Sequence, residues 1–124
     1  MAQTTWHNMI EIDEIFLKRI YTQVALIPAG KVSTYGKIAE LAGYPNASRE
    51  AGIAMSRVPA GTGLPCHRVV NKNGTLAPSH VFGSKERQRN LLLAEGVTFL
   101  SNDSIDVEKH MWPEIVRDEQ LSLF

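Results

Sequence analysis

Between Ser33 and Arg57 the chain offers two short helix-compatible stretches with a tight turn between them, and this restricts the fold more than any other feature. Ser33 or Thr34 can cap the first stretch, because a side-chain oxygen there satisfies a free N–H at a helix start. Ile38, Leu41 and Ala42 give it an apolar face, and Gly43 can close it in the left-handed conformation. Tyr44-Pro45-Asn46 reads as the turn, with Asn46 as cap of a second helix from Ala47 to about Arg57. Two short helices joined this tightly predict a helix-turn-helix. The second is rich in small residues (Ala47, Ser48, Ala51, Gly52, Ala54), which let it approach another surface closely. That surface is either a neighbouring helix or DNA. Arg49 and Arg57 on the same helix favour DNA.

The flanking segments complete one domain, a size that 124 residues can support with a core of their own. From Glu11 the pattern is helical: Ile12, Ile15, Phe16, Ile20, Val24 and Ile27 recur at three- and four-residue steps and predict a buried stripe. Asp13 and Glu14 suit its start, and Pro28-Ala29-Gly30 ends it. A loop from Pro59 to Pro65 leads to Cys66-His67-Arg68-Val69-Val70, where the β-branched pair predicts a short strand. Asn71-Lys72-Asn73-Gly74 is a turn, across which Thr75-Leu76 is expected to pair back. Residues 77–83 read as a surface loop, Ser84 as the cap of a helix to Glu95, Gly96 as its stop, and Val97, Phe99 and Leu100 as a last strand. The expected fold is mainly α with a small β-hairpin, a winged helix-turn-helix-like domain over residues 11–100. An extension (1–10, with Trp6 and Met9 at the core edge) precedes it, and an acidic tail (101–124) follows.

The net charge is zero but unevenly spread. Residues 31–90 hold nine Lys/Arg and three acidic residues, a net +6 balanced by −6 elsewhere, which suits a polyanion-binding face. One cysteine cannot form an internal disulfide, which agrees with a reducing compartment. No basic-then-apolar leader and no long apolar run is seen, so a cytoplasmic, nucleoid-associated protein without membrane contact is expected. There is no Cys-x-x-Cys, and His7, His67, His80 and His110 lack ligand spacing, so no metal or cofactor is expected. Nothing resembles a dimerisation helix, and a monomer is expected.

Most lone cysteines are small core residues. Cys66 differs in its setting: prolines and glycines flank it, His67 follows it, and the surrounding segment is basic. A thiol attacks as thiolate, and cations, a histidine base or a helix N-terminus lower its pKa. Neighbours on a strand point to opposite faces, so a water would carry the proton between Cys66 and His67. A carboxylate would orient the imidazole, but spacing alone does not choose among the Asp and Glu residues.

Pro65-Cys66-His67-Arg68-Val69-Val70, preceded by Val32-Ser33-Thr34-Tyr35-Gly36 and Arg49 and followed by Glu95-Gly96, resembles the DNA-binding domain of the 6-O-alkylguanine-DNA alkyltransferases. The match covers about residues 12–100. The resemblance implies binding to double-stranded DNA containing alkylated guanine, with the second helix in the minor groove and the damaged base turned out of the duplex. Cys66 would take the alkyl group irreversibly, once per molecule. His67 would act as base through water, Glu95 would orient it, and Tyr35 would rotate the nucleotide and protonate the leaving guanine. Arg49 would fill the gap in the stack, and Thr34, Ala47, Ser48, Gly52 and Arg68 complete the expected DNA-contacting set.

The chain departs from that pattern. The family's larger N-terminal domain has no counterpart here. Val58 stands where an asparagine usually supports the turn before the cysteine, and Glu50 where a small apolar residue is usual. Ala77-Pro78-Ser79-His80-Val81-Phe82 replaces a Gly/Tyr/Ser-rich loop. These features point toward the short alkyltransferase-like proteins, which bind the lesion and recruit other repair proteins without transferring the group. Those mostly lack the cysteine that this chain keeps. Two readings therefore stand: a single-turnover methyltransferase and a non-enzymatic lesion sensor. Finally, Gln120-Leu121-Ser122-Leu123-Phe124 resembles the peptide by which bacterial repair proteins dock on the sliding clamp. Leu121, Leu123 and Phe124 would supply apolar anchors and Gln120 polar contacts.

Overall fold

The computed structural model describes residues 10–76 and 84–114. Most of the expected N-terminal extension, the loop at 77–83 and the peptide at 120–124 lie outside the described residues. Helix α1 spans Glu14–Ala25. The Asp13 carboxylate accepts from the Phe16 N–H at 2.8 Å, and Glu14 places negative charge in the first turn. Phe16, Ile20 and Val24 recur on one face and are buried, and Ile27 continues the stripe into the following turn. The stripe is narrower than expected. Ile15 is 63% exposed, because one residue step turns the side chain by about 100° around the helix, off the Phe16 line.

Strand β1 is Ser33–Thr34 and leads straight into α2, Tyr35–Leu41. Thr34 is the cap: its hydroxyl accepts from the Lys37 N–H at 3.1 Å, whereas Ser33 is fully buried. Ala39 takes the inward place expected of Leu41, which is 37% exposed. Gly43 closes the helix at φ +98°. The second helix of the pair, α3, spans Ser48–Ser56. Asn46 is not its cap. It sits at φ +66° as the left-handed turn residue, a conformation asparagine tolerates, and Ala47 holds the cap position without a side-chain bond. Ala47, Ala51, Ala54 and Met55 pack into the core beside α1 and α2.

A single 3-10 turn, Cys66–Arg68, precedes β2, Val69–Val70. The expected hairpin is replaced by a parallel pair, Ser33 beside Val69 and Thr34 beside Val70. The Asn71 N–H does meet the Thr75 carbonyl at 3.0 Å, but this only closes a turn. Both valines of β2 are buried, and Thr75 is exposed. A partner delivered by the α2–α3 crossover covers the valines as two turn residues cannot. Alternation along β2 sends Val69 into the first core cluster and Val70 into a second, formed with Val32, Leu92, Val97 and Ile105.

Helix α4 spans Lys85–Ala94, capped by the Ser84 hydroxyl on the Arg87 N–H at 3.0 Å and closed by Gly96 at φ +89°. The strand expected at 97–100 is reduced to one bridge, Phe99 to Ile105. Residues 101–114, expected within an acidic tail, pack onto the body instead. Ile105 and Val107 bring apolar surface to the second cluster, while Asp103 and Glu108 stay exposed. Helix α5 spans Val107–His110, and the Val32 N–H bonds the His110 carbonyl at 2.9 Å. No helix among the described residues is long and apolar enough to cross a membrane.

Candidate functional site

Cys66 sits at the start of the 3-10 turn, partly buried against the first core cluster together with Tyr21, Tyr35 and Val58. A cleft of about 900 Å³ opens over it, walled by Ala25, Val58, Leu64 and Leu91 and reached by His67 and Arg87. Burial pushes the Cys66 thiol up, so the thiol form dominates at neutral pH. Burial thus outweighs the lowering expected from a basic surround.

Arg68 was expected to face DNA, and the structure turns it inward. Its Nε and Nη2 donate to the two oxygens of Glu95 at 3.0 and 2.6 Å, and its Nη1 donates to the Ile27 carbonyl at 2.8 Å. The bidentate fork fixes the plane of the carboxylate. Glu95 Oε2 in turn lies 2.9 Å from His67 Nε2. The structure thus brings together the base and the carboxylate that the resemblance singled out. The Arg68 hydrogen bonds, reinforced by His67, hold the Glu95 carboxyl down at about 2 against the opposing effect of burial. With Nε2 engaged by Glu95, Nδ1 is the ring nitrogen left for a proton acceptor role.

Sequence reasoning missed Gln88. It is fully buried on α4, and its amide donates to the carbonyls of His67 at 3.0 Å and Val69 at 3.3 Å. Its signal was a glutamine one helical turn before the buried Leu92. The amide ties the Cys66–Arg68 turn to the helix that delivers Glu95.

Tyr35, at the start of α2, is pushed up to about 12 by burial and by the neighbouring Cys66. It stays protonated at neutral pH and can donate. Tyr21 is raised for the same reasons, and its hydroxyl donates to the Ala54 carbonyl at 2.6 Å. Tyr35 also borders a second cleft of about 430 Å³ with Thr34, Gly36, Ser48, Arg49, Asn71 and Lys72. Four expected residues, Thr34, Tyr35, Ser48 and Arg49, thus share one surface. Asn71 and Lys72 join them from the turn after β2, as a wing would.

The small residues of α3 divide between the two roles left open. Ala47 was expected at DNA but is fully buried with Ala51 and Ala54, and serves helix packing. Ser48 and Arg49 are exposed, and a Cβ added at Gly52 would meet nothing within 4 Å. Glu50 forms no ion pair with Arg49 or Arg57, while Lys37 pairs with Glu40 and Arg89 with Asp103.

Residues 15–97 match the family model described as the DNA-binding domain of 6-O-methylguanine DNA methyltransferase. The DNA base-flipping protein of Escherichia coli is 44% identical over 103 residues, which are 83% of this chain and 78% of that protein. A methylated-DNA–protein-cysteine methyltransferase of Shigella flexneri is 36% identical over 85 residues, 68% of this chain but 48% of that protein. Among solved structures, S. pombe Atl1 in complex with damaged DNA containing O6-carboxymethylguanine superposes with a TM-score of 0.70 at 36% identity, covering 81% of this chain and 96% of that one. The fold, the placed Cys66–His67–Glu95 set and these matches agree, and the chain belongs to the family of the 6-O-methylguanine DNA methyltransferase DNA-binding domain.

Proposed function

We propose that this protein binds duplex DNA through the outer face of α3, draws an alkylated guanine out of the stack into the cleft beside Cys66, and accepts the alkyl group on the cysteine sulfur. The observation that carries the reading is the intact chain of contacts from His67 to Glu95 to Arg68 next to a cysteine in an open cleft. Ser48 and Gly52 lie one helical turn apart on the side of α3 that admits a close surface, and Arg49 stands beside them to occupy the space the base leaves.

The chemistry balances on these residues. The Cys66 proton passes to His67, whose imidazolium is stabilised by Glu95. Sulfur attacks the alkyl carbon in line; the C–S bond forms as the bond from carbon to guanine O6 breaks. The leaving guanine takes a proton from Tyr35, which is regained from His67 through solvent. The thioether has no leaving group for return, so one molecule acts once. Burial favours the thiol form, so the proton must be removed by His67 for attack.

A lesion sensor without transfer is the second reading. Val58 favours it, since an apolar side chain packed at the cleft wall cannot hydrogen-bond the loop that carries Cys66. Digestion of an O6-methylguanine duplex after incubation with excess protein separates the two. Transfer predicts that methylguanine disappears one for one with protein and unmodified guanine replaces it. Persistence of methylguanine in fully bound duplex leaves the sensor. In both cases residues 120–124 tether the protein to the sliding clamp, so their deletion abolishes clamp association and leaves lesion affinity unchanged. Clamp association that survives the deletion removes that assignment.

A further inference from the structure

We propose that His110, beyond the end of the family match at residue 97, is a positioning residue for the His67–Glu95 pair. It pins together the two backbone loops between which that pair is held. The inference rests on the proton-relay reading above and adds a support that lies outside the site.

The first loop runs from Ile27 to Val32. Its Ile27 carbonyl accepts from Arg68 Nη1 at 2.8 Å, so it anchors the guanidinium that orients Glu95. Gly30 in the same loop lies so near the second loop that an added Cβ would stand 3.1 Å from the Glu95 carbonyl oxygen. The second loop runs from Glu95 to Thr98 and carries Glu95 itself at the end of α4.

His110 binds both. It is 7% exposed. Its Nε2 accepts from the Thr98 backbone N–H at 3.0 Å and lies 2.8 Å from the Thr98 hydroxyl. A nitrogen that accepts from a backbone N–H carries no hydrogen, so Nδ1 carries it and donates to the Gly30 carbonyl at 3.1 Å. The ring thus bridges the loops, with Nε2 on Thr98 and Nδ1 on Gly30. Backbone bonds lock His110 in place: the Val32 N–H donates to its carbonyl at 2.9 Å, and the Trp112 N–H donates to the Val32 carbonyl at 2.8 Å. Val32 leads directly into β1, which pairs with β2 immediately after Cys66–Arg68. The segment 98–112 therefore braces the relay from behind, through these backbone bonds on the Val32 side and through the imidazole that joins Gly30 to Thr98. If the bridge opens, the loops separate and the Arg68 fork can no longer hold the carboxylate plane against His67.

The test compares His110→Phe, which fills the space without either hydrogen bond, with His110→Gln, which restores one donor and one acceptor. Both are made in the full chain. Three quantities are read: the titration midpoint of the Glu95 side-chain carboxyl by carbon NMR, the affinity for an O6-methylguanine duplex, and the rate of methyl transfer. The proposal expects His110→Phe to raise the Glu95 midpoint by about one unit from its value near 2. It expects transfer to slow about tenfold at saturating protein with affinity within about twofold. His110→Gln recovers most of both. A folded His110→Phe with an unmoved Glu95 midpoint overturns the proposal, as does lost thermal stability with midpoint and transfer rate intact. Should His110→Phe fail to fold, Thr98→Val removes only the hydroxyl contact and is expected to shift the midpoint in the same direction by less; no shift overturns the proposal. Should the wild-type protein transfer no methyl group, the Glu95 midpoint still decides this inference, and the two failures stay separate.

Discussion

Glu95 is shared between two neighbours, and its charge is the pivot of the site. Its carboxyl is held near 2 when folded, against an ordinary value of 4.5, chiefly by Arg68. A depressed carboxyl stabilises the fold above its unfolded pKa, and that contribution is lost as pH falls toward the folded value. At 19% side-chain exposure the pair is little screened, and the shift corresponds to an upper bound on the order of 3 kcal/mol. Urea unfolding of wild type and Glu95→Gln from pH 7 to 2.5 measures it. The stability gap between the two is expected to be full near neutrality and to shrink below about pH 4.5. A gap independent of pH contradicts the assignment. At this scale the sequence was partly readable. The Cys66–His67 string and its basic setting stood out from the residues alone. The choice of Glu95 among the carboxylates came only from the resemblance, because 28 residues separate it from His67 and the packing of α4 brings them together. Arg68 was expected at DNA, and only the fold shows it engaged by Glu95 and the Ile27 carbonyl.

Helices were legible where a local signal marked them. Asp13, Thr34 and Ser84 each cap the helix that follows, and Gly43 and Gly96 close theirs. Elements set by distant partners were not. The parallel pairing of Ser33–Thr34 with Val69–Val70 depends on a crossover through two helices, and the packing of 101–114 on two apolar side chains among acidic ones. Two glycines separate fold from function. Gly74, at φ +86°, would place a Cβ 2.6 Å from the Ile105 carbonyl oxygen, with the Ile105 N–H bonded to Gly74 at 2.9 Å. Gly74→Ala is expected to cost about 2–4 kcal/mol in denaturant unfolding. Gly52 in α3 meets open space, so Gly52→Ala is expected to leave stability unchanged or raise it by up to about 1 kcal/mol. Under the proposed function the same methyl group stands where the minor groove approaches, and affinity for duplex DNA is expected to drop about tenfold. Full DNA affinity in Gly52→Ala would remove α3 from the interface.

Across the whole molecule the +6 middle segment is less open than its charge count implies. Lys37, Arg68 and Arg89 are each paired with a carboxylate. Arg49 and Lys72 border the cleft beside Tyr35, on the face that carries the outward side of α3. Binding is therefore expected to weaken with salt, and Lys72→Ala to lower the logarithmic salt slope by about one for damaged and undamaged duplex alike. A slope unchanged in Lys72→Ala places the phosphate track elsewhere. Tyr35, on that face, neighbours Cys66, so under the proposed function one fold joins DNA contact to a nucleophile. The most direct measurement is the mass of the Cys66 peptide after saturation with an O6-methylguanine duplex. Transfer predicts a gain of one methyl group on Cys66 in the full bound population, absent in Cys66→Ala although that variant still binds. An unmodified Cys66 peptide under saturated binding contradicts transfer.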